Sequence, residues 1–200
     1  DFAFNRHDTA DFNIDFDKIY FAKYENLNIV HLGSLMLSEE KGRVLAKRVA
    51  DKTKEIGAKL SFDVNFRKDI FRDFDAAKRA YEPFVKSADI VKFSEDELLD
   101  FTGISGIDAA AESLCDKDKL ILVTLGKNGS AYYFNGEKGV VPSEYKCKSI
   151  DTTGAGDAFF GAFLAAIENK EPTKENIVSA MRNGNEKGAK TTEFFGAIKL

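Results

Sequence analysis

The apolar positions of this 200-residue chain change period several times, and each change marks a new element. Ile29-Val30-His31-Leu32 is a short strand-like run, and after Gly33-Ser34 the polar Ser38-Glu39-Glu40 suits a helix N-terminus. Leu45, Val49 and Ile56 then recur at helical spacing, Gly57 stops the helix, and Leu60 to Val64 reads as a second strand. The alternation continues with a helix from about Asp75 that is disturbed at Pro83, and a strand over Ile90 to Phe93. Helices over Glu95 to Phe101 and Ile107 to Cys115 and a strand over Leu120 to Thr124 follow. Such alternation predicts a mostly parallel, Rossmann-like sheet.

The rhythm then shortens. Ser130 to Phe134 and Gly139 to Val141 flank Asn135-Gly136, a pair suited to a two-residue hairpin turn, so an antiparallel excursion is expected late in the chain. Helical patterns resume over Gly156 to Glu168 and Thr173 to Lys187. The predicted fold class is α/β, a three-layer αβα body that forms one domain over residues 1–200, with no internal linker or repeat.

Composition narrows the function. With 44% hydrophobic residues the chain can fill a core, and a net charge of -4 provides no basic field for nucleic acid or an anionic membrane surface. The longest nearly apolar stretch, Ala158 to Ile167, falls well short of the about 20 residues a membrane helix requires. Two cysteines, Cys115 and Cys147, do not make a disulfide scaffold and fit a reducing cytoplasm. His7 and His31 lack the H-E-x-x-H spacing of a zinc hydrolase. Asp1 opens directly into Phe2-Ala3-Phe4, which suggests a piece cut from a longer chain.

The chemistry concentrates at Asp151-Thr152-Thr153-Gly154-Ala155-Gly156-Asp157, immediately before the apolar helical stretch. Backbone N–H groups are unpaired at a helix start, and Gly154 and Gly156 let them approach an anion closely. Asp157 falls in the first helical turn, where the helix dipole favours its carboxylate and makes it a candidate base. Taken alone, the same residues also describe a tight turn with a favourable first-turn acid. The segment is neither a Walker A loop nor a dinucleotide fingerprint, because no G-x-x-x-x-G-K-[ST] occurs and Phe159 stands three residues after Gly156.

The whole heptapeptide resembles the D-T-x-G-A-G-D signature of the ribokinase-like, or PfkB, family of carbohydrate kinases. Leu122-Val123-Thr124-Leu125-Gly126-Lys127-Asn128-Gly129 resembles that family's nucleotide-binding strand and loop. Lys92-Phe93-Ser94-Glu95-Asp96-Glu97 resembles its N-x-x-E region, with Ser94 where many members carry Asn. Phe62-Asp63-Val64-Asn65-Phe66-Arg67 and Arg6 with Ala10-Asp11 resemble the D-x-N-x-R and R-x-x-x-A-D segments of fructokinase-like members. The resemblance spans essentially the whole chain. It implies the C-terminal, nucleotide-binding larger part of a sugar kinase, without the N-terminal sugar-binding strands and lid.

By resemblance, Asp157 is the base and the backbone of Gly154, Ala155 and Gly156 forms an anion hole. ATP is met by Lys92, Ser94, Glu97, Thr124, Gly126, Gly129 and Asn185, with Glu97 organising Mg²⁺ through water. Ser94 and Glu97 also read as a capping box that needs no metal. Asp151 and Thr153, with backbone at Thr191, Phe194 and Gly196, map to a potassium site used in the family. Arg6, Asn65 and Arg67 supply donors for the sugar. Gly33-Ser34 stands where ribose-using relatives tend to carry an acid, so fructose is the expected acceptor, ahead of 2-keto-3-deoxygluconate and ribose. The resemblance further implies a cytoplasmic homodimer acting on a small sugar. A non-catalytic nucleotide-binding module is the alternative of another class.

Overall fold

The computed structural model describes residues 9–23, 26–67, 70–71 and 73–198. They fall into two compact units, Asp1–Gly106 and Ile107–Leu200.

In the first unit, strands β1 (Ile29–Gly33), β2 (Lys59–Asp63) and β3 (Ile90–Ser94) pair in parallel, Ile29 opposite Lys59 and Ser61 opposite Ile90. Parallel pairing requires crossovers, supplied by helices α1 (Glu40–Glu55) and α2 (Phe74–Ser87). Helix α1 buries the stripe Leu45, Ala46, Val49 and Thr53. Its expected polar start is uncapped: Glu39 stands at the N-cap without a side-chain bond, and the Ser38 hydroxyl donates to the Leu35 carbonyl (3.0 Å) inside a 3₁₀ turn. Helix α2 passes through Pro83 without ending. Burial of Tyr81, Phe84 and Val85 around it offsets the missing backbone bond. Phe62 of β2 stacks on Phe84 and meets Tyr81 edge-on, so aromatic rings form the core of this unit. Helix α3 (Glu95–Thr102) follows β3 with no intervening loop.

The second unit opens with the short helix α4 (Ile107–Glu112), which stops before the expected Cys115. Strands β4 (Leu120–Thr124), β5 (Ser130–Phe134) and β6 (Glu137–Val141) pair antiparallel. The expected hairpin is present, with Phe134 opposite Glu137 and both Asn135 (φ 48°) and Gly136 (φ 80°) in the left-handed region of a primed turn. Helices α5 (Ala155–Ile167) and α6 (Lys174–Thr191) pack against each other, burying Phe159, Phe160 and Phe163 with Ile177, Ala180 and Met181. The α/β class, with parallel strands first and an antiparallel hairpin late, is as the pattern predicts. Among the described residues, no helix is long and apolar enough to cross a membrane.

Candidate functional site

Helix α5 is apolar along most of its length, so packing secures it and its first turn is free to depart from ordinary capping. Gly154 stands at the N-cap in the left-handed conformation (φ 77°, ψ -1°) and offers no side chain to the helix. The Ala155 N–H donates to the Thr152 carbonyl at 3.2 Å, and Ala158 N–H donates to Gly154 at 2.9 Å. Between them, the N–H groups of Gly156 and Asp157 have no backbone acceptor among the described residues. Asp157, the third residue of the helix, is exposed rather than packed into hydrocarbon. Two open amides at the positive end of a 13-residue helix, beside a solvent-facing carboxylate, form a place for an anion and a proton acceptor together. Of the amides expected in the anion hole, that of Ala155 donates to the preceding turn, while those of Gly154 and Gly156, like that of Asp157, have no backbone acceptor among the described residues.

The turn is held from behind by Asp151. Its Oδ1 accepts from the Thr153 N–H (2.9 Å) and hydroxyl (2.7 Å), and its Oδ2 accepts from the Gly196 N–H at 2.9 Å. These donors, the Gly196 amide foremost, hold the Asp151 carboxyl below the usual carboxylate range. The Thr192 carbonyl adds bonds from the N–H groups of Ile150 (2.7 Å) and Asp151 (3.2 Å). Asp151, Thr153 and Gly196, expected around a monovalent cation, are thus in direct contact. Thr191 closes α6 with its hydroxyl on the Lys187 carbonyl (3.0 Å), and Phe194 is half-buried in the turn beyond. Two donors fill the lone pairs of Oδ1, which leaves one position on Oδ2 for a cation.

Thr124, Gly126 and Gly129 lie where β4 turns into β5. Leu125 N–H donates to the Gly129 carbonyl at 2.8 Å, with Gly126 exposed, Thr124 half-buried and Gly129 buried. Asn185, expected near the nucleotide base, is only 8% exposed. Its Nδ2 donates to the Val141 carbonyl and its Oδ1 accepts from the Ser130 hydroxyl, both at 2.9 Å. In this structure it is a tie between α6 and the β5–β6 hairpin. Beyond that hairpin lies an open groove of about 480 Å³ lined by Pro142, Glu144, Tyr145, Arg182, Asn183 and Glu186. Sequence reasoning missed these residues, since no motif marks them. Their one signal was the run Arg182-Asn183 directly before Gly184.

The first unit holds the other expected residues. Lys92 is 4% exposed, and its Nζ donates to both oxygens of Asp63 at 2.9 and 3.1 Å. The two face each other across β2 and β3. In this structure the Lys92 ammonium is committed to Asp63. Ser94 and Glu97 form the capping box: Ser94 Oγ accepts the Glu97 N–H (3.3 Å) and Glu97 Oε2 accepts the Ser94 N–H (2.8 Å). Glu97 Oε1 also accepts the Phe66 N–H at 2.9 Å, fastening the 64–67 loop to the start of α3. Each Glu97 oxygen keeps room for one more donor, which suits a water of a hydrated Mg²⁺ better than the metal itself. Among the described residues, no cluster of three or more His, Cys, Asp or Glu forms a metal cage. Asn65 is half-buried with φ 29°, and its carbonyl accepts from the Ser34 hydroxyl at 3.3 Å. Arg67 is exposed, its guanidinium turned back to the Phe66 carbonyl at 3.1 Å. Arg6 lies outside the described residues.

The model of the family described as pfkB family carbohydrate kinase matches residues 1–199. Fructokinase-1 of Zea mays is 37% identical over 204 aligned residues, covering 99% of this chain and 62% of the maize protein. Fructokinase from Vibrio cholerae, solved with fructose, ADP and calcium ion, superposes with a TM-score of 0.79 at 31% identity. That match covers 84% of this chain and 56% of the Vibrio chain. Aminoimidazole riboside kinase from Salmonella enterica, solved with aminoimidazole riboside and an ATP analog, gives 0.76 at 27%, covering 84% of this chain and 57% of that one. The chain therefore spans less than two thirds of the length of these relatives.

Proposed function

Since the chain belongs to the pfkB family of carbohydrate kinases, we propose that it serves to transfer the γ-phosphoryl group of ATP to a hydroxyl of a small sugar, fructose first. The observation that carries this reading is the first turn of α5, where the open amides of Gly156 and Asp157 adjoin the exposed Asp157 carboxylate. Phosphoryl transfer asks little covalent work of a protein; it needs a positioned hydroxyl and donors aimed at the charge on the moving group. Asp157 accepts the proton of the attacking hydroxyl, and the two amides, backed by the helix dipole, stabilise the transferred oxygens. Asp151 keeps the turn in shape through Thr153 and Gly196, and with Thr153 it would be among the residues to hold a potassium ion. Glu97 would hold a magnesium ion through water, and the ion would supply neutralisation of phosphate charge. Asn65 and Arg67 present donors to the sugar.

Naming fructose rests on the fructokinase relatives and on Gly33-Ser34. A coupled ADP-release assay of the full-length protein with fructose, ribose and 2-keto-3-deoxygluconate tests the proposal, with turnover expected on fructose. ADP binding without release on any of the three sugars would reject the kinase and favour a nucleotide-binding module. Response to another sugar alone would reject fructose.

A further inference from the structure

Helix α6 meets the backbone of α5 at two glycines one turn apart. A Cβ built at Gly188 would lie 2.9 Å from the Ala155 carbonyl oxygen and 3.3 Å from Phe159 Cβ. One at Gly184 would lie 2.8 Å from both the ring and the carbonyl oxygen of Phe159. Both glycines are buried, while Gly161 of α5 has nothing within 4 Å of its Cβ position. The partner of Gly188 matters because of peptide planarity: the Ala155 carbonyl and the Gly156 N–H belong to one rigid unit. Whatever presses on that oxygen re-aims that N–H, one of the open amides of the anion site.

We propose that Gly188 is a positioning residue for phosphoryl transfer, acting by letting the α6 backbone sit against the Ala155–Gly156 peptide and so setting the direction of the Gly156 amide. This rests on the kinase reading of the α5 turn. Gly184 touches the Phe159–Phe160 peptide, one turn further into α5, and reaches the Gly156 amide only indirectly, through the spacing of the two helices. The effect of a methyl group should therefore be graded along the seam, greatest at 188, smaller at 184 and absent at 161.

The test compares Gly188→Ala, Gly184→Ala and Gly161→Ala in the full-length protein, measuring kcat and sugar KM below the melting temperature. The backbone ¹⁵N resonance of Gly156 is read separately in ligand-free protein. Misplacement of a catalytic group by a fraction of an ångström to an ångström costs about ten- to hundred-fold in rate, so Gly188→Ala should lose that much kcat with sugar KM within about twofold. Gly184→Ala should lose less, and Gly161→Ala should match the parent. The Gly156 resonance should move in Gly188→Ala and stay fixed in Gly161→Ala. A Gly188→Ala protein that melts lower yet keeps parental kcat would overturn the proposal, since a merely structural glycine predicts that result. Should Gly188→Ala not fold, Gly184→Ala takes its place; a smaller shift of Gly156 supports the proposal and an unmoved resonance overturns it. Because the resonance needs no substrate, a protein that shows the shift but phosphorylates no sugar would sink the kinase reading while leaving the geometric claim intact.

Discussion

Replacing Asp63 by Leu takes the countercharge from Lys92 at a place water does not reach. The pair is 3% and 4% exposed, and the ammonium donates to both carboxylate oxygens at 2.9 and 3.1 Å. At that depth the pair itself adds little net stability, because desolvation of two ions consumes most of their attraction. Breaking it is another matter, and removal of one partner from a buried pair costs about 3–5 kcal/mol. For a chain of this length about 1 kcal/mol moves the melting temperature by about 2–4 °C, so a fall on the order of 6–20 °C is expected. Urea unfolding of Asp63→Leu, Lys92→Met and the double variant gives the cycle. The double variant should recover most of the loss, since two apolar side chains replace two ions. A loss of less than about 1 kcal/mol in Asp63→Leu would refute the buried-pair reading. Lys92→Met should also leave the KM for ATP unchanged once the protein is folded, as befits a lysine that faces an aspartate instead of a nucleotide.

Asp157→Asn should lower kcat by roughly 10²- to 10⁴-fold, the usual effect of a lost general base, with ADP affinity measured by calorimetry nearly unchanged; parental turnover would remove Asp157 from the mechanism. Asn185→Ala should destabilise by about 1–3 kcal/mol in urea titrations, because it strands the fully buried Ser130 hydroxyl and the Val141 carbonyl. The Asp151 carboxyl lies below its ordinary range when folded, so its contribution is present above that range and fades as pH falls through the folded value. The hydrogen-exchange protection factor of the Gly196 N–H, taken relative to the intrinsic rate at each pH, should therefore fall in acid, and Asp151→Asn should abolish that acid step.

Most elements were legible because the forces that make them are local. The run Leu120-Ile121-Leu122-Val123 is fully buried as β4, Asn135-Gly136 makes the hairpin turn, and Ser94 with Glu97 forms the capping box, each from residues within a few positions of one another. The start of α5 was equally plain, since a glycine and a first-turn acid before an apolar helix carry their own meaning. What the pattern left open was the fate of individual polar groups. Lys92 is spent on Asp63, 29 residues away, Asn185 on Ser130, 55 away, and Asp151 on Gly196, 45 away. The same side-chain chemistry suits a nucleotide, a metal or a neighbouring strand. Which partner it meets depends on parallel register and helix packing, and these bring together positions that have no fixed spacing along the chain. The Ala155 amide and the glycine seam of α6 belong to the same class: orphan donors and close backbone approaches arise from where the chain returns to itself, and a one-dimensional string carries no measure of that distance.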